Sequence, residues 1–274
     1  MASTISDLAK LAIHTMTTKP WDLATAVGKY AASGVPGITV WRQWLEGLDH
    51  AEAGRMIREA GLGVAAHCRG GFYPALDAKG RAAAIDDNRR ALDEAAAIGA
   101  PQLVLVCGAV PGQSLEENRR QIAAGIAACI DHAKAVGVKL SIEPLHPMYA
   151  GDRSAVNTVA QANDIIDQVG EDWVGIAADV YHIWWDPDLE KEIARAGKRI
   201  LGFHVCDWLC PTTDLLLDRG LMGEGCIAIR TIRAWVEAAG FDGWNEVEIF
   251  SNRWWATDQD DYLEKIKAAY LTHV

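Results

Sequence analysis

Carboxylates and imidazoles recur at one kind of position in this 274-residue chain: the last residue or two of a short apolar, β-branched run, or the turn after it. Read in order, these positions carry His14, then Trp41 and Arg42, His67 and Arg69, Cys107, Glu143 and His146, Asp179 and His182, His204 and Asp207, and last Glu246 and Glu248. A charged group that closes an apolar run costs several kcal/mol if it is left buried and unpaired, so each needs a partner. Glu143, Asp179, His204 and Glu248 close four successive runs. One hard or borderline divalent cation compensates three carboxylates and an imidazole together, which predicts a single metal site with these four ligands. Oxygen-rich ligation with one nitrogen points to Mn²⁺, and leaves Mg²⁺, Co²⁺, Zn²⁺ and Fe²⁺ open.

A structural reading competes for the same residues, since Glu143 and Glu248 could pair with the strand-end Arg42 and Arg69. Three inward carboxylates against so few cations argue for the metal. Glu246 shares the strand parity of Glu248 one layer lower, and is expected to form a buried ion pair or to support a ligand. Cys206, two residues beyond His204, is expected to pack rather than coordinate. His14, Trp41, Arg69 and Asp207 are assigned to substrate contact. Trp41, Trp44, Trp184, Trp185, Trp208, Trp254 and Trp255 follow runs two, six, seven and eight, where they suit either core packing or stacking on a sugar ring or aromatic aglycone.

Positioning these groups requires repeated strand–helix units. The apolar runs fall at 11–15, 37–41, 63–67, 102–107, 139–143, 174–179, 200–205 and 246–250. They alternate with Ala-rich helical stretches at 21–33, 51–60, 79–98, 114–136, 155–169, 189–196, 230–239 and 258–271. Glycines separate several helices from the next run, as in REAGLGVAAH and AVGVKLSIE, which is the signature of a left-handed C-cap and a short loop. Eight such units predict a (β/α)₈ TIM barrel, one domain over 1–274, with its active site at the carboxyl ends of the strands. Because no G-x-G-x-x-G follows a run, the doubly wound nucleotide-binding fold is the weaker alternative.

The formal charge of −11 and a pI near 5.2 oppose binding to phosphate backbones, so no nucleic-acid partner is expected. The first twenty residues lack a basic segment followed by an apolar one, and no stretch approaches the ~20 apolar residues of a membrane span. A cytoplasmic chain without a membrane partner is therefore expected. Six cysteines without a CxxC pair predict neither a disulfide framework nor a zinc knuckle.

At these residues the chain resembles the xylose-isomerase-like superfamily of TIM barrels, especially its sugar-phosphate isomerase/epimerase members, which include inosose isomerase and ketose 3-epimerases. The likeness covers nearly the whole chain. It is carried by IEPLHP at 142–147, ADVYH at 178–182, HVCDW at 204–208, the GEG turn at 223–225 and VEIFSNRWW at 247–255. The resemblance implies the same four ligands, Glu143, Asp179, His204 and Glu248. It further implies that the two glutamates act as acid and base on opposite faces of the substrate, and that His182 touches it. His146-Pro147 departs from the ketose epimerases and looks more like the large subunits of bacterial C-glycoside deglycosidases, which cleave 3-oxo-glycosides together with a small second subunit.

The chemistry common to these relatives is proton removal next to a carbonyl, with Glu143 or Glu248 as base and His146 or His182 as the alternative proton carrier. Return of the proton gives isomerisation or epimerisation, whereas loss of a β-substituent gives elimination in a lyase. A sugar-like small molecule and a homo-oligomer are the expected partners, with a small second subunit in the deglycosidase-like case. A phosphodiesterase of the endonuclease IV type shares the barrel, but it needs more histidines and a basic groove, which this acidic chain lacks.

Overall fold

The eight apolar runs pair side by side as parallel strands in the computed structural model, which describes residues 5–274. The first four residues, on which the reading of the N-terminal segment partly rests, lie outside the described residues. The strands are β1 (Leu11–His14), β2 (Gly37–Trp41), β3 (Gly63–Gly71), β4 (Gln102–Val106), β5 (Lys139–Ile142), β6 (Val174–Asp179), β7 (Ile200–Val205) and β8 (Asn245–Val247). Each pairs with its sequence neighbour, and β1 returns to β8 with Leu11 opposite Asn245, so the sheet closes without an edge. Strands β1, β2, β4 and β6 are buried at every residue, as expected where one face fills the barrel and the other meets helices.

The outer layer consists of α1 (Leu23–Ala32), α2 (His50–Glu59), α3 (Ala78–Ile98), α4 (Leu115–Val136), α5 (Val159–Val169), α6 (Leu189–Ala196), α7 (Ile229–Ala238) and α8 (Gln259–His273). Asp22, Asp49, Asp77, Ser114, Thr158 and Asp258 cap six of these starts by accepting backbone N–H bonds, each worth about 1 kcal/mol. The long α3 and α4 end on Gly99 and Gly137 in the left-handed region, as the glycine punctuation predicts.

Two departures from the expected ranges bear on the site. First, β5 and β8 stop at Ile142 and Val247, so Glu143 and Glu248 stand just past the ladder. Their backbones stay pinned, with Glu143 N–H donating to Leu105 O at 3.1 Å and Glu248 N–H to Val205 O at 3.2 Å. Second, β3 runs on to Gly71 because Asn88 of α3 clamps that residue, accepting its N–H at 2.6 Å and donating to its carbonyl at 2.7 Å. This extension carries Arg69 to the carboxyl end of the barrel.

A small antiparallel ribbon, Asp207–Trp208 with Arg219–Gly220, follows β7 and carries Arg219. Short helices Val180–Ile183 and Asn252–Trp255 follow β6 and β8. All six cysteines are free, and among the described residues no helix is long and apolar enough to cross a membrane.

Candidate active site

Glu143 after β5, Asp179 at the end of β6, His204 on β7 and Glu248 after β8 each bring one ligand atom to within 4.8 Å of the others. All four are buried, Asp179 and His204 completely. His204 Nδ1 lies 3.2 Å from Glu143 Oε1. Asp179 is oriented by the Tyr181 N–H, which donates to its Oδ1 at 2.8 Å. On the other side, the Arg219 guanidinium donates to Asp179 Oδ2 at 2.9 Å and to Glu248 Oε2 at 2.8 Å.

A second layer lies behind the cluster. Glu246 accepts from Thr39 Oγ1 at 2.5 Å and faces His14 Nε2 at 3.5 Å and His204 Nε2 at 3.8 Å, so it supports the His204 ring from below. His14 Nδ1 lies 3.1 Å from Glu248 Oε1 and also 3.1 Å from the Trp41 indole nitrogen. One nitrogen cannot both donate to the carboxylate and accept from the indole. The Glu248 carboxylate favours a proton on this nitrogen, directed to Glu248, while Glu246 faces the other ring nitrogen.

The donor set fits a divalent cation. Both ring nitrogens of His204 and Glu143 Oε1 are buried without a hydrogen-bond partner, an expensive arrangement unless something joins them. Charge points the same way, because among the described residues the four buried carboxylates have Arg219 as their one arginine or lysine in ion-pair contact, and it reaches only Asp179 and Glu248. Burial, opposed by Arg219 and reinforced by Glu248 and Glu143, pushes Asp179 up to about 7. Burial alone would lower His204 and His14, yet the surrounding glutamates hold both up at about 9. Glu248 moves the other way: the effect of burial is outweighed by His14 and Arg219, which hold it well below the usual carboxylate range. The cluster thus collects protons where it lacks positive charge, and a divalent cation meets that need directly.

A cavity of about 360 Å³ opens on the cluster, and Glu143, Glu248, His182 and Arg219 reach its lining. A larger groove of about 780 Å³ beside Trp21, Trp44 and Leu48 contains none of these converging groups, so the smaller cavity is the functional candidate. Trp41 and Arg69 also line it. The His182 Nε2 sits 3.3 Å from Arg219 Nη2, and burial followed by the Arg219 charge keeps the ring neutral.

Three expected site residues lie elsewhere. His14 is fully buried behind Glu248 and does not line the cavity. It holds Glu248 instead of touching substrate. Asp207 accepts the N–H groups of Trp208, Gly223 and Ile227, each at 2.9 Å, which pins the GEG turn and leaves the carboxylate committed to backbone. His146 packs its ring on Trp208 and Trp185 at 5.1 and 5.8 Å and accepts from Met148 N at 3.3 Å. It does not line the cavity either.

The alternative ion-pair reading fails for Arg42, whose guanidinium is held by Asp87 and Glu94, both at 2.8 Å. The cation that does enter the cluster, Arg219, stands in LLLDRGLM, a loop stretch with no strand or helix period to mark it. Most of the tryptophans pack: Trp254 stacks on Tyr262 at 4.9 Å, and Trp255 donates to Met16 O.

A closed eight-strand barrel with buried carboxylates and imidazole at the strand carboxyl ends defines the class, a TIM-barrel enzyme with a candidate metal centre. Residues 27–270 match the family model described as xylose isomerase-like TIM barrel, and the chain belongs to that family. It is 25% identical over 205 residues to an inosose isomerase of Bacillus velezensis (strain DSM 23117 / BGSC 10A6 / LMG 26770 / FZB42), covering 72% of this chain and 70% of that protein. The crystal structure of protein SMc04130 from Sinorhizobium meliloti 1021 is 50% identical, with a TM-score of 0.93 over 96% of this chain and 98% of that one. The IOLI protein, solved with a bound zinc atom, shares the fold at 20% identity and a TM-score of 0.83, covering 95% and 96%.

Proposed function

We propose that this chain is a divalent-metal-dependent isomerase or epimerase that acts on a keto-sugar or related polyol ketone by removing the proton next to the carbonyl. The observation that carries the reading is that Glu143 and Glu248 belong to the ligand cluster and also line the cavity. The likeness to inosose isomerase supports the substrate class.

Glu143, Asp179, His204 and Glu248 would hold the ion, Mn²⁺ by ligand type. When bound, such a cation supplies Lewis-acid stabilisation, worth several kcal/mol, for negative charge developing on the carbonyl oxygen. Glu248 is ionised at neutral pH and lines the cavity, so it can take a proton from a carbon there. Glu143 reaches the same cavity from β5 and can return the proton. The neutral His182 and the Arg219 guanidinium, in mutual contact, orient substrate hydroxyls, while Trp41 and Arg69 meet the remainder of the molecule. The proposed partners are this small molecule and a second copy of the chain. Six unpaired thiols suit a cytoplasmic setting.

Metal-loaded protein incubated with ketoses in deuterium oxide tests this. Wild type should wash deuterium into the carbon next to the carbonyl, and Glu143→Gln and Glu248→Gln should each lower the rate by at least 100-fold. Full exchange in both variants would remove the two glutamates from the reaction.

A further inference from the structure

The cavity over the cluster contains two guanidiniums that no carboxylate partners. Arg69 arrives from β3 and Arg153 from the loop after β5, and both line the cavity. Arg69 lies 4.5 Å from the Phe72 ring centroid and Arg153 5.1 Å from that of Tyr149. Among the described residues, Arg42, Arg120, Arg195, Arg199, Arg219 and Arg253 all hold carboxylates. Arg81, Arg119 and Arg230 lack a carboxylate among those residues but donate to backbone carbonyls, whereas Arg69 and Arg153 share one cavity with neither kind of acceptor.

Their backbones are fixed. The strand end beyond Arg69 is clamped by Asn88 at Gly71, and the Arg153 carbonyl accepts the Gly108 N–H at 2.9 Å while its own N–H donates to Tyr149 O at 3.0 Å. Aromatic faces back both guanidiniums and leave their N–H edges free, the disposition that suits bidentate contact with a carboxylate or phosphate. Burial, and then the neighbouring Arg153 charge, weaken the hold of Arg69 on its proton, against the opposing pull of Glu143 and Glu248 in the same cavity. A ligand without an anionic group would leave both N–H edges without a charged acceptor in direct contact.

We propose that Arg69 and Arg153 form an anion subsite, and that the substrate carries a carboxylate or phosphate in addition to its reacting ketone. This rests on the isomerase/epimerase reading for the reaction, while the subsite itself is testable without it.

Solvent-deuterium exchange is measured on metal-loaded protein with fructose, fructose 6-phosphate and fructuronate. The expected result is a kcat/KM at least tenfold higher for one of the two anionic sugars than for fructose, with the better one telling phosphate from carboxylate. In Arg69→Gln and in Arg153→Gln that ratio should fall at least tenfold, through KM, with metal content unchanged. Equal handling of fructose and the anionic sugars, or an unchanged ratio in both variants, would overturn the subsite while leaving the isomerase reading intact. If none of the three sugars exchanges, fructose-type ketoses are not the substrate, and calorimetric titration with inorganic phosphate decides the subsite. Binding weakened at least tenfold in each variant upholds it, and equal binding in wild type and variants overturns it. Arg153 lies on a loop and is half-buried, so its variant remains decisive if Arg69→Gln does not fold.

Discussion

His14 illustrates how a buried imidazole can matter without meeting substrate. Wedged between Glu246 and Glu248, it fixes the position of the Glu248 carboxylate. His14→Ala is therefore expected to lower turnover by about 10–100-fold, the usual effect of losing a group that orients a ligand. Steady-state kinetics and metal analysis measure it, and wild-type turnover would show that the contact has no consequence. The four ligand candidates were legible in the sequence because each puts a charge or imidazole where an apolar strand ends. What the sequence could not convey was depth. His14, Asp207 and His146 share the strand-end placement of the cluster, yet one sits a layer below, one turns to backbone and one packs on tryptophan.

Elements matter where they set the reach of a side chain. The extension of β3 to Gly71 depends on a backbone that only glycine adopts comfortably there: φ is 105°, and a Cβ would stand 1.9 Å from Val106 O. Gly71→Ala should destabilise the protein by about 1–3 kcal/mol, measured by chemical denaturation, and should disturb Arg69 with it. An unchanged midpoint would contradict this account of the strand. Strand and helix positions followed from apolar period and glycine punctuation. The extension of β3 was hidden because it arises from a contact with Asn88 of α3, a distant pairing with no local signature. The Arg219 ribbon was hidden for a related reason, being held by its partner Asp207–Trp208 and not by any period of its own.

For the whole molecule, pH and metal content both act on stability. Glu94 of α3 ties the outer layer to the barrel through Arg42 and His67. Burial pushes its pKa up, but the His67 and Arg42 hydrogen bonds prevail and hold it at about 2, against an ordinary value of 4.5. A carboxylate depressed on folding adds stability that is present above its unfolded value and is lost as pH falls through the folded one. Acid unfolding should therefore steepen between about pH 5 and pH 2. Glu94→Gln should flatten that part of the profile, and an unchanged slope would argue against the linkage.

Metal binding should act on the whole barrel as well, since its ligands come from or follow four of the eight strands. Free metal at 100 times its Kd stabilises a folded state by about 2.7 kcal/mol, so chelation should lower Tm by several degrees. The most direct test of the central claim is metal stoichiometry per chain, measured by elemental analysis after dialysis against Mn²⁺. The prediction is about one ion in wild type, with loss of that ion in Glu143→Gln, Asp179→Asn, His204→Ala and Glu248→Gln. Stoichiometric metal retained by all four variants would contradict it.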